Sequence, residues 1–253
     1  MKFRTIRRII YLKKARHRRG HGIHSPFLFH LITDVVENRK RLPEYLIFKE
    51  LKNTAQSLLG TFSEPSLAPV YLEHNLAPSN PHRLYRKAEL PLRYGKVVFR
   101  LLREFKPASV VHYGPTLGPN LALMAMADSD RLVYQSINCP VYELVSSKLL
   151  GDAAIINVSF FNEISFPPVP PDFIVINYPC DAAASRHFVQ KSLHSHGEDG
   201  VLIVRGIHES KEMEAIWQEL ISSESVRVSL DLFEIGITLF RKGLQKENFI
   251  QRF

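Results

Sequence analysis

The chain has 253 residues, of which 45% are hydrophobic and 23% are charged. These values are ordinary for a globular protein and argue against a disordered chain. No apolar run reaches the roughly 18 residues that a membrane-spanning helix needs, and no secretory signal is recognisable. The two cysteines are too few for a disulfide framework and lack metal-site spacing. We therefore expect a cytoplasmic protein without a metal site.

The net charge of +8 is concentrated at the N-terminus, where the first 20 residues hold nine cations. Apolar residues recur among these cations at near-helical spacing, which predicts a short basic amphipathic helix. Such a helix either binds the phosphates of nucleic acid or of an anionic membrane surface, or docks on its own domain with a solvated basic face. The residues assigned to phosphate binding are Arg7, Arg8, Lys13 and Lys14.

The next part of the chain is predicted to be helical. Ser25 followed by Pro26 predicts a helix start, because a serine side chain caps free backbone N–H groups and the fixed φ of proline suits a first turn. A further helix is predicted over 43–59, and the stretch after it is rich in proline and serine, as in a connector. We therefore expect an N-terminal helical region with a connector over 1–83, and a second domain over 84–253.

From about residue 92, predicted helices alternate with apolar strand-like runs. This pattern favours an α/β fold with a parallel sheet covered on both faces. The last two strand-like runs, 226–233 and 235–242, follow each other so closely that they must pair antiparallel. The other predicted strands are 109–113, 132–137, 154–159, 172–177 and 200–205, and the helices are 92–105, 118–128, 140–150, 182–195 and 209–223.

Four stretches carry a family resemblance: GHGIHSPFLFHLI, YRKAELPLRYGKVVFRLLREFKP, IHESKEMEAIWQEL and SLDLFEIGITLFRK. With the order of elements over 84–242, they resemble the class I S-adenosylmethionine-dependent methyltransferases. More narrowly, they look like a Bacteroidetes group of predicted methyltransferases with unassigned substrate. The resemblance implies a Rossmann-like methyltransferase fold with an antiparallel C-terminal hairpin strand, S-adenosylmethionine as the cofactor, and a small-molecule methyl acceptor.

The loop SVVHYGPTLGPN follows the first predicted strand, where the family holds the methionine part of its cofactor. The resemblance implies cofactor contacts from Gly114, Thr116, Gly118 and Asn120, because small residues let the backbone approach a ligand. His112 stands where the family has an acid, and two prolines remove backbone donors from the loop.

Acidic residues of the family are also missing at three other strand ends. At the second strand, Ile137 stands at the ribose-binding position, and the neighbouring Asn138 remains as a polar candidate. The fourth strand ends in Asn177, a further cofactor candidate, and the fifth in Arg205, which would repel a divalent cation. His208 remains as a candidate catalytic base, unless it caps the next helix or only packs.

Two hypotheses follow. The first is an active methyltransferase with an unusual pocket. The second is a non-catalytic methyltransferase-like module that works through its basic N-terminal helix. The replaced acids favour a retained fold with eroded cofactor and catalytic motifs, since a fold alone does not determine a function. A nicotinamide-dependent oxidoreductase is disfavoured because the loop glycines lack G-x-G-x-x-G spacing.

Overall fold

The structure is a computed structural model that describes residues 3–15, 22–61, 81–137, 140–162, 170–179 and 181–253. By its contacts the chain divides into two compact units. The first unit comprises residues 1–39 and 169–253, and the second unit comprises residues 40–168. The predicted boundary after residue 83 therefore falls inside the second unit.

The described elements are, in chain order, α1 (Phe3–Lys14), α2 (Pro26–His30), a π-helical turn (Leu31–Val36), α3 (Glu44–Leu59), α4 (Pro81–Ala88), α5 (Leu92–Phe105), β1 (Val110–Tyr113), α6 (Pro119–Ala125), β2 (Val133–Ile137), α7 (Pro140–Asp152), β3 (Val158–Asn162), β4 (Phe173–Ile176), α8 (Ala182–His194), β5 (Val201–Arg205), α9 (Lys211–Ser222), β6 (Val228–Asp231), β7 (Ile235–Leu239) and β8 (Glu247–Ile250).

The second unit carries three parallel strands in the order β3-β2-β1. Val133 of β2 is in register with Val110 of β1 on one side and with Val158 of β3 on the other. Its core joins α3, α5 and α6 through aromatic and aliphatic side chains. The buried members of this cluster are Tyr45, Phe48, Phe99 and Leu123.

The first unit carries the remaining strands in the order β4-β5-β7-β6-β8. Strands β4 and β5 are parallel, whereas β7 runs antiparallel to both β5 and β6. The predicted α/β fold, with a mostly parallel sheet and an antiparallel C-terminal hairpin strand, is thereby confirmed. Strand β8, which pairs parallel to β6, was not predicted because its sequence, ENFI, is short and half polar.

One predicted strand was wrongly placed. The apolar run 154–159 predicted a strand, but β3 begins only at Val158. Residues 153–157 instead close α7: the N–H of Ile155 donates to the carbonyl of Leu150 at 3.0 Å, and Ala154 has a φ of 54°. Ile156 is consequently 92% exposed. The apolar residues at 154–157 therefore do not form a buried strand.

The predicted helix start at Ser25 is confirmed. The Ser25 side chain accepts a hydrogen bond from the N–H of Leu28 at 3.4 Å, and Pro26 occupies the first turn. Two helices of the first unit begin in the same way, with Asp181 capping α8 and Ser210 capping α9. Within the described ranges, no helix is long and apolar enough to cross a membrane.

Candidate functional site

The turn between β1 and α6 is built on two glycines with positive φ. Gly114 has a φ of 103° and Gly118 a φ of 110°, values that favour glycine over any residue with a side chain. A Cβ on Gly118 would lie 2.7 Å from Cδ2 of Leu149 and 3.3 Å from Cα of Ser146. Gly118 is therefore required for the packing of α7 against the turn.

A buried carboxylate that the sequence analysis missed holds this turn from inside. Glu89, directly after α4, is 2% exposed. Its Oε1 accepts hydrogen bonds from the Thr116 hydroxyl at 2.7 Å and from the N–H of Leu117. Its Oε2 accepts from the N–H of Asn120 at 3.3 Å and from the side-chain amide of the same residue. Burial, followed by the charge of Glu89, raises the pKa of Tyr85 far above its ordinary value, so the phenol stays protonated.

Other backbone donors of the turn are also engaged within the protein. The N–H of Gly114 donates to the Ser136 hydroxyl at 3.1 Å, and that of Gly118 to the Thr116 hydroxyl at 3.2 Å. Gln135 on β2 donates from Nε2 to the carbonyl of Gly114 at 2.9 Å. Its buried Oε1 has no hydrogen-bond partner within the part of the chain that the structure describes. This oxygen is therefore an acceptor that a ligand could use.

In the first unit, an arginine lies between two oxygen-bearing side chains. Arg205, the last residue of β5, is 4% exposed. Its Nη1 donates to Oδ1 of Asn177 at 2.9 Å, and its Nε lies 3.3 Å from Oε1 of Glu234. Hard metal cations bind amide and carboxylate oxygens. Here the Arg205 guanidinium contacts the oxygens that such a metal ion would need. Among the described residues, no group of three His, Cys, Asp or Glu could hold a metal ion.

His208 forms a buried pair with Asp231 beside this cluster. Nε2 of His208 lies 2.8 Å from Oδ2 of Asp231, whose Oδ1 accepts the N–H of Phe233 at 2.8 Å. The ring centroids of His208 and Phe233 are 5.3 Å apart. Because Ser210 caps α9, His208 is not its cap. The structure thus places His208 in a packed and paired position, and its role as a base stays a prediction.

The basic helix α1 is docked on the first unit by ion pairs. Arg4 pairs with both Glu209 and Glu234, and Arg7 pairs with Glu214. Glu234 therefore joins α1 to the Arg205 cluster. Among the described N-terminal cations, Arg4 and Arg7 thus form ion pairs within the chain itself.

Two of the other cations that were assigned to phosphate binding, Lys13 and Lys14, are exposed in the last turn of α1. Arg8 is also an exposed residue, but its guanidinium lies 5.0 Å from the centre of the buried Phe233 ring. The end of the helix is therefore accessible to a partner.

Within the second unit, three residues of the predicted cofactor set, Thr116, Gly118 and Asn120, lie around Glu89. Within the first unit, Asn177 accepts a hydrogen bond from Arg205. Asn138 lies outside the described residues.

Three carboxylates escaped the sequence analysis: Glu89, Asp231 and Glu234. Each has an apolar residue on both sides, in KAELPL or SLDLFEIG. A buried charge must find partners, so these isolated acids were the available signal.

Comparison with known proteins supports the fold. No family model and no curated protein matches the chain. Among solved structures, the O-methyltransferase TomG from Streptomyces achromogenes, in complex with S-adenosylmethionine, is 12% identical, with 71% of this chain and 91% of that chain covered and a TM-score of 0.52. An O-methyltransferase from Bacillus cereus, in complex with S-adenosylhomocysteine, is 13% identical over 71% and 92% of the two chains, with a TM-score of 0.51.

A third similar structure is the S-adenosylhomocysteine-bound methyltransferase PaMTH1 of Podospora anserina, which is 11% identical over 70% of this chain and 87% of that chain, with a TM-score of 0.52. At such identities the likeness establishes the fold alone. The chain has the Rossmann-like fold of the class I S-adenosylmethionine-dependent methyltransferases.

Proposed function

We propose that this chain is an S-adenosylmethionine-dependent methyltransferase-like protein, of the Bacteroidetes group described above, whose cofactor and catalytic motifs have eroded. The observation that carries the proposal is the burial of Arg205 between Asn177 and Glu234. The guanidinium lies at the strand end where the resemblance implies acids. It engages oxygens that could otherwise bind a metal or accept the proton of a methyl acceptor.

In the second unit, the groups that could bind the cofactor are also engaged within the protein or replaced by apolar residues. The turn around Gly114 and Gly118 has the shape of a ligand-binding loop, but its donors serve Glu89 and neighbouring hydroxyls. Ile137 offers no acceptor for ribose hydroxyls, and Gln135 offers a single free oxygen. The residues present therefore do not fit tight binding of S-adenosylmethionine.

The cost of the missing acceptor can be expressed as an affinity. Two ribose hydroxyls left unpaired cost roughly 1–3 kcal/mol each, which weakens binding about 30-fold to about 20,000-fold. A site that would otherwise bind at about 1 µM then binds between about 30 µM and about 20 mM. We expect a dissociation constant for S-adenosylmethionine in that range, or no measurable binding.

The experiment is a calorimetric titration of S-adenosylmethionine and S-adenosylhomocysteine into the wild type and an Ile137→Asp variant. Restoring a carboxylate at the end of β2 should tighten binding at least about tenfold, because it supplies the missing acceptor. Leu132→Asp, at a 39% exposed position just before the same strand, is the matched control and should leave affinity unchanged. A folded Ile137→Asp variant that binds no better than wild type would show that the missing acid is not what limits binding.

A second candidate function is a non-catalytic module that binds a phosphate-bearing partner, nucleic acid or anionic lipid, through the basic N-terminal helix. The exposure of Lys13 and Lys14 favours it. Binding of this kind weakens as salt concentration rises. A Lys13→Glu, Lys14→Glu variant should lose it, and retention of binding by that variant would exclude the helix as the contact surface.

A further inference from the structure

The outward side of α1 carries aliphatic side chains as well as cations. Ile6, Ile9 and Leu12 are 41%, 45% and 43% exposed. Their spacing of three residues places them along one side of the helix. Lys13 and Lys14 are exposed beside them at the end of the helix. Single exposed aliphatic residues are common, whereas neighbouring exposed aliphatic side chains on one face of a helix favour a binding surface.

The inner side of α1 fixes the helix in this orientation. Arg4 and Arg7 form the ion pairs described above, and the Tyr11 hydroxyl donates to the carbonyl of Gln251. The Tyr11 ring also packs against Phe233, with centroids 5.2 Å apart. Rotating α1 to bury its aliphatic side chains would break these contacts. The contacts of Arg4, Arg7 and Tyr11 thus keep the aliphatic side chains of α1 exposed to solvent.

We propose that the outward face of α1 docks on an anionic phospholipid surface. Ile6, Ile9 and Leu12 enter the boundary between headgroups and acyl chains, while the flanking cations meet the lipid phosphates. The helix lies in the plane of the interface and does not cross it. The inference rests on the second candidate function and narrows its partner to a lipid surface, and it does not depend on whether the cofactor binds.

The combination of side chains favours lipid over the other partners. Contacts to the phosphates of nucleic acid use cations and would leave the three aliphatic side chains in water. A second copy of the same face would bring two sets of cations together without an acid, because residues 1–20 contain none. An anionic membrane surface offers both an apolar layer and negative charge.

The test is flotation of the full chain with vesicles of phosphatidylcholine alone or mixed with phosphatidylglycerol. The wild type should float with the mixed vesicles and far less with phosphatidylcholine alone. An Ile6→Ser, Ile9→Ser, Leu12→Ser variant should bind the mixed vesicles at least about tenfold more weakly, since it lacks the apolar contact. Leu144→Ser, at a 55% exposed position on α7, is the matched control and should bind as wild type.

Three outcomes would overturn the proposal. The first is wild-type binding by the triple serine variant with its helix content unchanged by circular dichroism. The second is equal binding to both kinds of vesicle. The third is failure of the wild type to float with the mixed vesicles. Oligonucleotide binding that is lost in Lys13→Glu, Lys14→Glu and kept in the triple serine variant could accompany this failure. This last result would assign the helix to nucleic acid instead.

Discussion

The buried carboxylate of Glu89 should be essential for the stability of the second unit. The informative change is Glu89→Gln, which keeps the size of the side chain and replaces one oxygen by an NH₂ group. In the wild type, Oε1 of Glu89 accepts the N–H of Leu117 and Oε2 accepts the N–H of Asn120. Either orientation of the new amide therefore points an NH₂ group at a backbone N–H, and that N–H loses its acceptor.

The magnitude follows from these contacts. A buried donor without an acceptor costs roughly 1–3 kcal/mol, and the surviving hydrogen bonds lose about 1 kcal/mol because their acceptor is no longer charged. We expect Glu89→Gln to lower the free energy of unfolding by roughly 2–4 kcal/mol. For a chain of this size, that corresponds to a decrease in Tm of roughly 4–16 °C.

The assay is urea denaturation followed by circular dichroism, with thermal melting as a second measurement. Glu50→Gln, at an exposed position on α3, is the matched control and should stay within about 0.5 kcal/mol of wild type. If Glu89→Gln is as stable as this control, the carboxylate does not hold the turn and the reasoning from its hydrogen bonds is wrong.

Three further changes test the packing and charge assignments, each by urea denaturation. Arg205→Met removes the guanidinium that contacts the buried Glu234 and Asn177 and should cost roughly 1–3 kcal/mol, because Arg4 still pairs with Glu234; a loss below about 0.5 kcal/mol would contradict the buried cluster. Gly118→Ala should cost roughly 1–3 kcal/mol, because its φ is 110° and the added Cβ would lie 2.7 Å from Leu149. Gly151→Ala, in α7 with no atom within 4 Å of the added Cβ, should instead stabilise by about 0.5–1 kcal/mol, and a loss of stability there would contradict the local geometry.

Much of the fold could be predicted because buried strands and amphipathic helices leave apolar patterns in short stretches of the sequence. Strands such as 173–176 and 201–205 are buried along their whole length, so their sequences are continuous apolar runs. The same criterion failed at 154–159, where a φ of 54° at Ala154 ends α7 and turns Ile156 to solvent. An apolar run identifies a strand only where neighbouring strands are present to pair with it.

The candidate site could be predicted less well because its partners are distant in sequence. The turn at 114–120 was recognisable from its glycines, but Glu89 lies 28 residues before Leu117, with which it bonds. The sequence indicated that Arg205 lies at the end of a strand, but it gave no indication of its partner Glu234, 29 residues further on. Side-chain pairs of this kind depend on the packed structure, which a single sequence does not display.

The most direct test of the proposed erosion is calorimetric titration of S-adenosylmethionine into the folded wild-type protein. We expect a dissociation constant weaker than about 30 µM, or no heat of binding, because the turn donors are engaged and Ile137 offers the ribose hydroxyls no acceptor. A dissociation constant of about 1 µM or tighter would contradict erosion of the cofactor site and would establish a functional cofactor pocket.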